Sequence, residues 1–139
     1  MLYNIVERGY NMNIAWINKE KTSSAVTLYN NNITLSKQAA SFFENSYGIA
    51  VGFDIENKVL VLKKVTKEEV LKKEIDEDDV YELTIKPSFG RINSKKLIVE
   101  LSNYLDFDFS KQLSYKFSAK WNNGLKMLIV DTKEVSKDA

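Results

Sequence analysis

The stretch Ile49-Ala50-Val51-Gly52-Phe53-Asp54-Ile55-Glu56-Asn57-Lys58-Val59-Leu60-Val61-Leu62-Lys63-Lys64-Val65 decides the fold class. Two strongly apolar runs, Ile49 to Ile55 and Val59 to Val65, flank the short polar loop Glu56-Asn57-Lys58, the pattern of a β-hairpin. A second such pair lies near the C-terminal end. Leu113 to Trp121 and Leu125 to Val130 enclose Asn122-Asn123-Gly124, which carries the Asn-Gly hairpin signal.

A helix signal precedes each hairpin. Ser36 is placed to cap a helix running to about Tyr47 and ended by Gly48, with Ala39, Ala40, Phe43 and Tyr47 as its buried stripe. Ser94 is placed to cap a helix from Lys95 to about Leu105, with Leu97, Ile98, Leu101, Tyr104 and Leu105 at helical spacing. The pairs Ser36-Lys37 and Ser94-Lys95 therefore lead apolar residues at matching offsets. Upstream, Thr27-Leu28 before Asn30-Asn31-Asn32 corresponds to Thr84-Ile85 before the turn Pro87 to Gly90. The unit strand, turn, short strand, helix, hairpin thus occurs twice, at about 25–65 and about 84–130.

Between the units, Thr66-Lys67-Glu68-Glu69 has capping-box form, with Val65 and Val70 in staple positions. This predicts a connecting helix over about 66–79, ended by the acidic run Asp76-Glu77-Asp78-Asp79. Val80 to Ile85 reads as a strand with Tyr81, Leu83 and Ile85 on one face. Asn13 to Ile17 and Ala25 to Tyr29 read as two strands joined by a polar turn. Residues 1–11 admit two readings: a mis-annotated leader before Met12, because Glu7-Arg8-Gly9 can be encoded by a purine-rich ribosome-binding run, or a first strand Leu2 to Val6. The tail from Glu134 is expected to be loose.

At 139 residues, 44% hydrophobic and with one proline, the chain has the make-up of one globular α+β, β-rich domain spanning 1–139. No apolar run reaches the roughly 18 residues of a membrane span and no cleavable signal stands at the N-terminus, so cytoplasmic residence without membrane contact is expected. The chain has no histidine and no cysteine. That removes disulfides, thiolate chemistry, cysteine zinc sites and the usual general base. Walker, nucleophile-elbow and dinucleotide glycine motifs are absent too. The sequence therefore favours binding over catalysis, with no cofactor.

Twenty basic residues against nineteen acidic ones give a net charge of +1, so a nucleic-acid site would have to be a local patch. All but Arg8 and Arg91 of these cations are lysines, which leaves little for bidentate readout of bases. The candidate patch is Lys37, Lys86, Arg91, Lys95, Lys96, Lys116 and Lys120, where turns and helix starts meet. The rings Trp16, Phe53, Tyr115, Phe117 and Trp121 on predicted strands could stack on bases, although core packing explains them better. Asp76 to Asp79, or Asp106 with Asp108, supply oxygen ligands but lack EF-hand spacing, and a solvated acidic face is the stronger reading.

The repeated unit resembles the AbrB-type swapped-hairpin family, including the MraZ-like proteins that carry two units in one chain. Gly90-Arg91-Ile92-Asn93-Ser94 is similar to the family's Gly-Arg-Val-x-Ile-Pro opening with one residue deleted, followed by Leu97 and Leu101 at its leucine positions. Asn31 to Ser36 has the full spacing, with Ala39 and Phe43 at those positions. Serine replaces the proline in both halves, the first half lacks Gly-Arg, and Ala40 and Ile98 stand where a basic residue is usual. The resemblance implies a pseudo-two-fold barrel of two strand-helix-hairpin repeats and a DNA-binding or transcription-regulatory role through phosphate contacts to duplex DNA. The alternative is a protein-interaction or structural module, of phage or mobile-element origin, that binds a protein partner or itself and no DNA.

Overall fold

The computed structural model describes residues 2–7, 10–15 and 24–133. Trp16, Arg8, the polar turn expected before Ala25 and the tail from Glu134 lie outside the described residues. Strands β1 (Leu2–Glu7) and β2 (Tyr10–Ala15) pair with each other, Leu2 opposite Ala15, and form a separate two-stranded sheet. Strands thus stand where the Asn13 and Ala25 segments predict them, but the two do not pair with each other. The strand that starts at Ala25 has both of its edges occupied by other partners.

The remaining elements run β3 (Ala25–Leu28), β4 (Asn32–Ser36), α1 (Lys37–Ser41), β5 (Gly48–Asp54), β6 (Val59–Val65), α2 (Lys67–Leu71), β7 (Val80–Tyr81), β8 (Thr84–Ile85), β9 (Phe89–Asn93), α3 (Lys95–Leu101), β10 (Tyr115–Asn122) and β11 (Met127–Asp131). They build one nine-stranded antiparallel sheet in the order β7-β5-β6-β11-β10-β3-β4-β9-β8. Its two outermost strands, β7 and β8, are separated in sequence only by Glu82 and Leu83. Two residues of chain span less than about 11 Å, so the sheet must curl until its ends nearly meet.

The curl encloses the core. Alternation along β4, β9, β6 and β11 sends Ile33, Leu35, Ile92, Leu60, Leu62, Leu128 and Val130 inward, each at most 1% exposed. Helix α1 adds Ala39 and Ala40, and α3 adds Leu97, Ile98 and Leu101. Apolar burial on this scale supplies the main driving force of the fold.

The helix starts are as expected and the helix lengths are not. Ser36 accepts a hydrogen bond from Ala39 N–H, Ser94 from Leu97 N–H, and Thr66 and Glu69 form the reciprocal capping box. Helix α1, however, ends at Ser41, and its chain turns back at Asn45 in a left-handed conformation (φ 63°). Tyr47 is 41% exposed rather than part of the buried stripe. Gly48 opens β5 instead of ending a helix, because a Cβ there would lie 2.3 Å from Val80 Cγ1 and 2.8 Å from the Tyr81 carbonyl oxygen. Helix α3 ends at Leu101, leaving Tyr104 44% exposed, and the connecting segment is α2 followed by a single 3-10 turn at Glu77–Asp79.

The strand expected over Val80 to Ile85 is broken at Glu82-Leu83 so that it can serve both ends of the sheet. Tyr81 and Leu83 pack on the core while Ile85 is 44% exposed. Leu28, by contrast, is fully buried. The two hairpin loops, residues 55–58 and 123–126, are alike. Each ends in a left-handed lysine, Lys58 (φ 56°) or Lys126 (φ 55°). Each is closed by a side-chain oxygen that accepts from the N–H three residues on: Asp54 from Asn57 at 3.2 Å and Asn122 from Leu125 at 3.0 Å. The Asn-Gly pair therefore sits inside a four-residue loop, not a two-residue turn.

Candidate nucleic-acid interface

The polar, outward face of the β8-β9-β4-β3-β10 half is ordered by register. Thr84 stands opposite Arg91, Arg91 opposite Thr34, Thr34 opposite Thr27, and Thr27 opposite Lys116. Directly opposite residues share a face, so these five side chains form one row across five strands, about 19 Å long at the usual interstrand spacing. Three hydroxyls and two cations occupy it, with no carboxylate among them.

Arg91 is fixed in place. Its Nε donates to Thr34 Oγ1 at 3.4 Å, and its guanidinium carbon lies 4.7 Å from the Phe89 ring centroid. Thr34 Oγ1 in turn donates to Asn32 Oδ1 at 2.7 Å, and Asn32 Nδ2 donates to Asn31 Oδ1 at 2.8 Å. The relay orients the threonine hydroxyl towards accepting the arginine proton. The Nη groups make no hydrogen bond among the described residues, so the planar fork keeps donors for an incoming anion.

The other expected cations divide by position. Lys86 closes the turn at the β9 edge, its N–H bonded to the Phe89 carbonyl at 2.8 Å, and Lys37 follows Ser36, which is paired with Phe89. Lys95 and Lys96 lie at the other end of β9, in the first turn of α3, where the Ser94 N–H bonds the Asn31 carbonyl at 3.2 Å. Five of the seven cations thus mark the two ends and the centre of the β4-β9 ribbon, and Lys116 ends the cross-strand row. Lys120 stands apart, opposite Ile129 on β11. Thr27, Thr34, Thr84 and Asn32 are the residues sequence reasoning missed. Their only local signal is a polar residue at the outward position of an otherwise apolar strand.

The β5-β6-β11-β10 half presents a different outer surface. Val61 stands opposite Ile129, Lys63 opposite Met127, and Val59 opposite Asp131, all half-buried except the aspartate. The rings considered for stacking do not form an exposed row: Phe117 is buried, and Trp121 stacks on Phe42 at 4.9 Å and meets Phe43 edge-on at 5.5 Å. Phe53 stacks on Tyr104.

Displaced titrations mark turns and caps. Hydrogen bonds from Asn57 hold Asp54 below its ordinary value, and Ser110 does the same for Asp108. The Thr66 N–H, then Lys63, lowers Glu69, which pairs with Lys63 at 3.0 Å. Tyr47 is raised because its hydroxyl donates to the Glu77 carboxylate at 2.5 Å, and burial raises Tyr81. Asp76 caps the 3-10 turn by accepting from Asp78 N–H, and no group of three or more candidate metal ligands is found among the described residues.

Comparison with known proteins finds no matching family model, no matching curated protein and no matching solved structure.

Proposed function

We propose that this chain is a two-unit swapped-hairpin protein of the AbrB type that binds duplex DNA in a regulatory role, laying the phosphate backbone on the β4-β9 ribbon. Binding, not catalysis, is the function read here. The observation that carries the proposal is the cross-strand row Thr84, Arg91, Thr34, Thr27 and Lys116, bordered by Lys37, Lys86, Lys95 and Lys96. Hydroxyls, lysines and a fork-shaped guanidinium are the groups that contact phosphate oxygens. A single arginine in the row suits backbone contact better than base readout.

The two-unit arrangement is supported by strand register. With Leu83 matched to Leu28, Ile92 to Ile33, and residues of the second hairpin to those 68 earlier, the β10-β11 pairs repeat β5-β6 pairs and the two β5-β7 pairs repeat two of the β3-β10 pairs. Under this matching, counterparts face each other directly at both places where the halves meet like to like: Ile33 opposite Ile92 and Val61 opposite Ile129. A two-fold axis through both pairs accounts for this. The hairpins are exchanged as in the family, β10 of the second unit lying beside β3 of the first.

Fluorescence anisotropy with a short labelled duplex at low ionic strength tests the reading, because phosphate binding is strongest there. Binding that weakens steeply with salt is expected. Arg91→Ala should weaken it several-fold and reduce the salt slope by about 1. Failure to bind any duplex at low salt overturns the proposal. A second reading, a protein-interaction module, is favoured by the outward Val59, Val61, Met127 and Ile129. It predicts that Val61→Ser with Ile129→Ser abolishes partner or self-association, whereas DNA binding by the ribbon should not respond to that pair.

A further inference from the structure

Away from the β4-β9 ribbon, the chain between α3 and β10 crosses the first hairpin loop and leaves a recess of about 270 Å³. Tyr104, Phe107 and Tyr115 give it aromatic walls, and Lys58, Lys133 and Asp106 give it charge. These rings are not fully used by the core. Tyr104 stacks on Phe53 at 5.5 Å through one face and remains 44% exposed, while Phe107 and Tyr115, 5.2 Å apart, are only partly buried.

The surroundings are held in place. The Tyr115 hydroxyl accepts from Asp108 N–H at 2.7 Å, which fixes the 106–109 turn over β10. Lys58 is left-handed, and its carbonyl accepts from both the N–H of Thr132, at 3.1 Å, and the Thr132 hydroxyl, at 2.6 Å. This clamps the hairpin loop to the segment carrying Lys133. The corresponding loop of the second hairpin has the same backbone bond, Lys64 N–H to the Lys126 carbonyl at 2.9 Å.

We propose that this recess binds a small planar aromatic carboxylate. The ring would lie against Tyr104, Phe107 and Tyr115, and the carboxylate would meet the ammonium groups of Lys58 and Lys133. Stacking and edge-on contacts with such rings favour planar ligands. The size admits one or two fused rings. Two cations against the single carboxylate of Asp106 favour one negative charge on the ligand and disfavour a dianion such as a phosphate monoester.

The test is nuclear magnetic resonance titration of the full chain with indole-3-carboxylate, its neutral counterpart indole-3-methanol, and adenosine monophosphate. The proposal expects saturable shifts confined to residues 104–108, 115, 58 and 132–133, with indole-3-carboxylate at least tenfold tighter than either other compound. Lys133→Ala should weaken that binding about tenfold and bring it to the level of the alcohol, while Lys120→Ala, outside the recess, leaves it unchanged. Equal affinity for the acid and the alcohol, tighter binding of adenosine monophosphate, or no localised shift at millimolar carboxylate overturns it. The Lys133→Ala spectrum without ligand, unchanged away from the substitution, separates loss of binding from loss of fold.

Discussion

The curled sheet contains two ribbons, β4 with β9 and β6 with β11, and they treat their central pairs in opposite ways. Ile33 and Ile92 face each other inside the core, fully buried, and leave the outer surface of their ribbon to Asn32, Thr34 and Arg91. Val61 and Ile129 face each other on the outside, half-buried, and leave the core side to Leu60, Leu62, Leu128 and Val130. A strand's period of two means that one position decides which set faces water. One ribbon thus turns a hydrogen-bonding, cationic surface outward and the other an apolar one.

Substitutions at the central pairs break this comparison most sharply. Ile33→Ala opens a cavity in closed packing and should cost about 2–5 kcal/mol in denaturant unfolding. Val61→Ala should cost about 1 kcal/mol or less, since its half-buried side chain gives up less buried surface and leaves no closed cavity. Equal costs would mean that the outer face of the second ribbon is covered in solution.

Glycines give a smaller contrast. A Cβ on Gly90 of β9 would stand 2.9 Å from Ala40 Cβ and 3.2 Å from Leu83 Cδ1, and Ala40 has no rotamer by which to move away. Gly90→Ala should therefore destabilise by about 1–3 kcal/mol. A Cβ on Gly52 of β5 meets nothing within 4 Å, so Gly52→Ala should be neutral or stabilise by about 0.5 kcal/mol. Thermal unfolding of the two variants side by side measures the difference.

The smallest effect concerns acid. Glu69, held below its ordinary value by Thr66 and Lys63, is bound to the second ribbon through Lys63. A lowered folded value means that its contribution is present above the unfolded carboxyl value and is lost as pH falls through the folded one. Glu69→Gln should lower neutral-pH stability by about 1 kcal/mol or less. Wild type and variant should converge in acid, and a gap that persists there would point to packing instead of charge.

Much of this organisation was legible in the residues themselves. Ser36, Ser94 and Thr66 with Glu69 carry their capping function in their local spacing, and the runs on either side of Glu56-Asn57-Lys58 carry their strand character in β-branched composition. Helix ends were harder to place, because Asn45 rather than Gly48 makes the left-handed turn after α1. The row containing Arg91 could not be read locally at all. Thr27 and Lys116 become neighbours only through a pairing between segments far apart in the chain, and no nearby residue encodes that register. Arg91 was visible as one of two arginines, while the threonines beside it depend on sheet order.

The break at Glu82-Leu83 has a consequence for the behaviour of the chain in concentrated solution. Sheet edges are templates on which a second molecule can add a strand, and long flat ones seed fibrils. Here the outermost strands are two residues each and belong to a single stretch of chain that bends from one margin to the other. The two margins therefore offer an incoming strand only two residues each, and although residues 51–54 of β5 pair on one side only, this short kinked segment acts as a guard against strand-by-strand polymerisation at either margin.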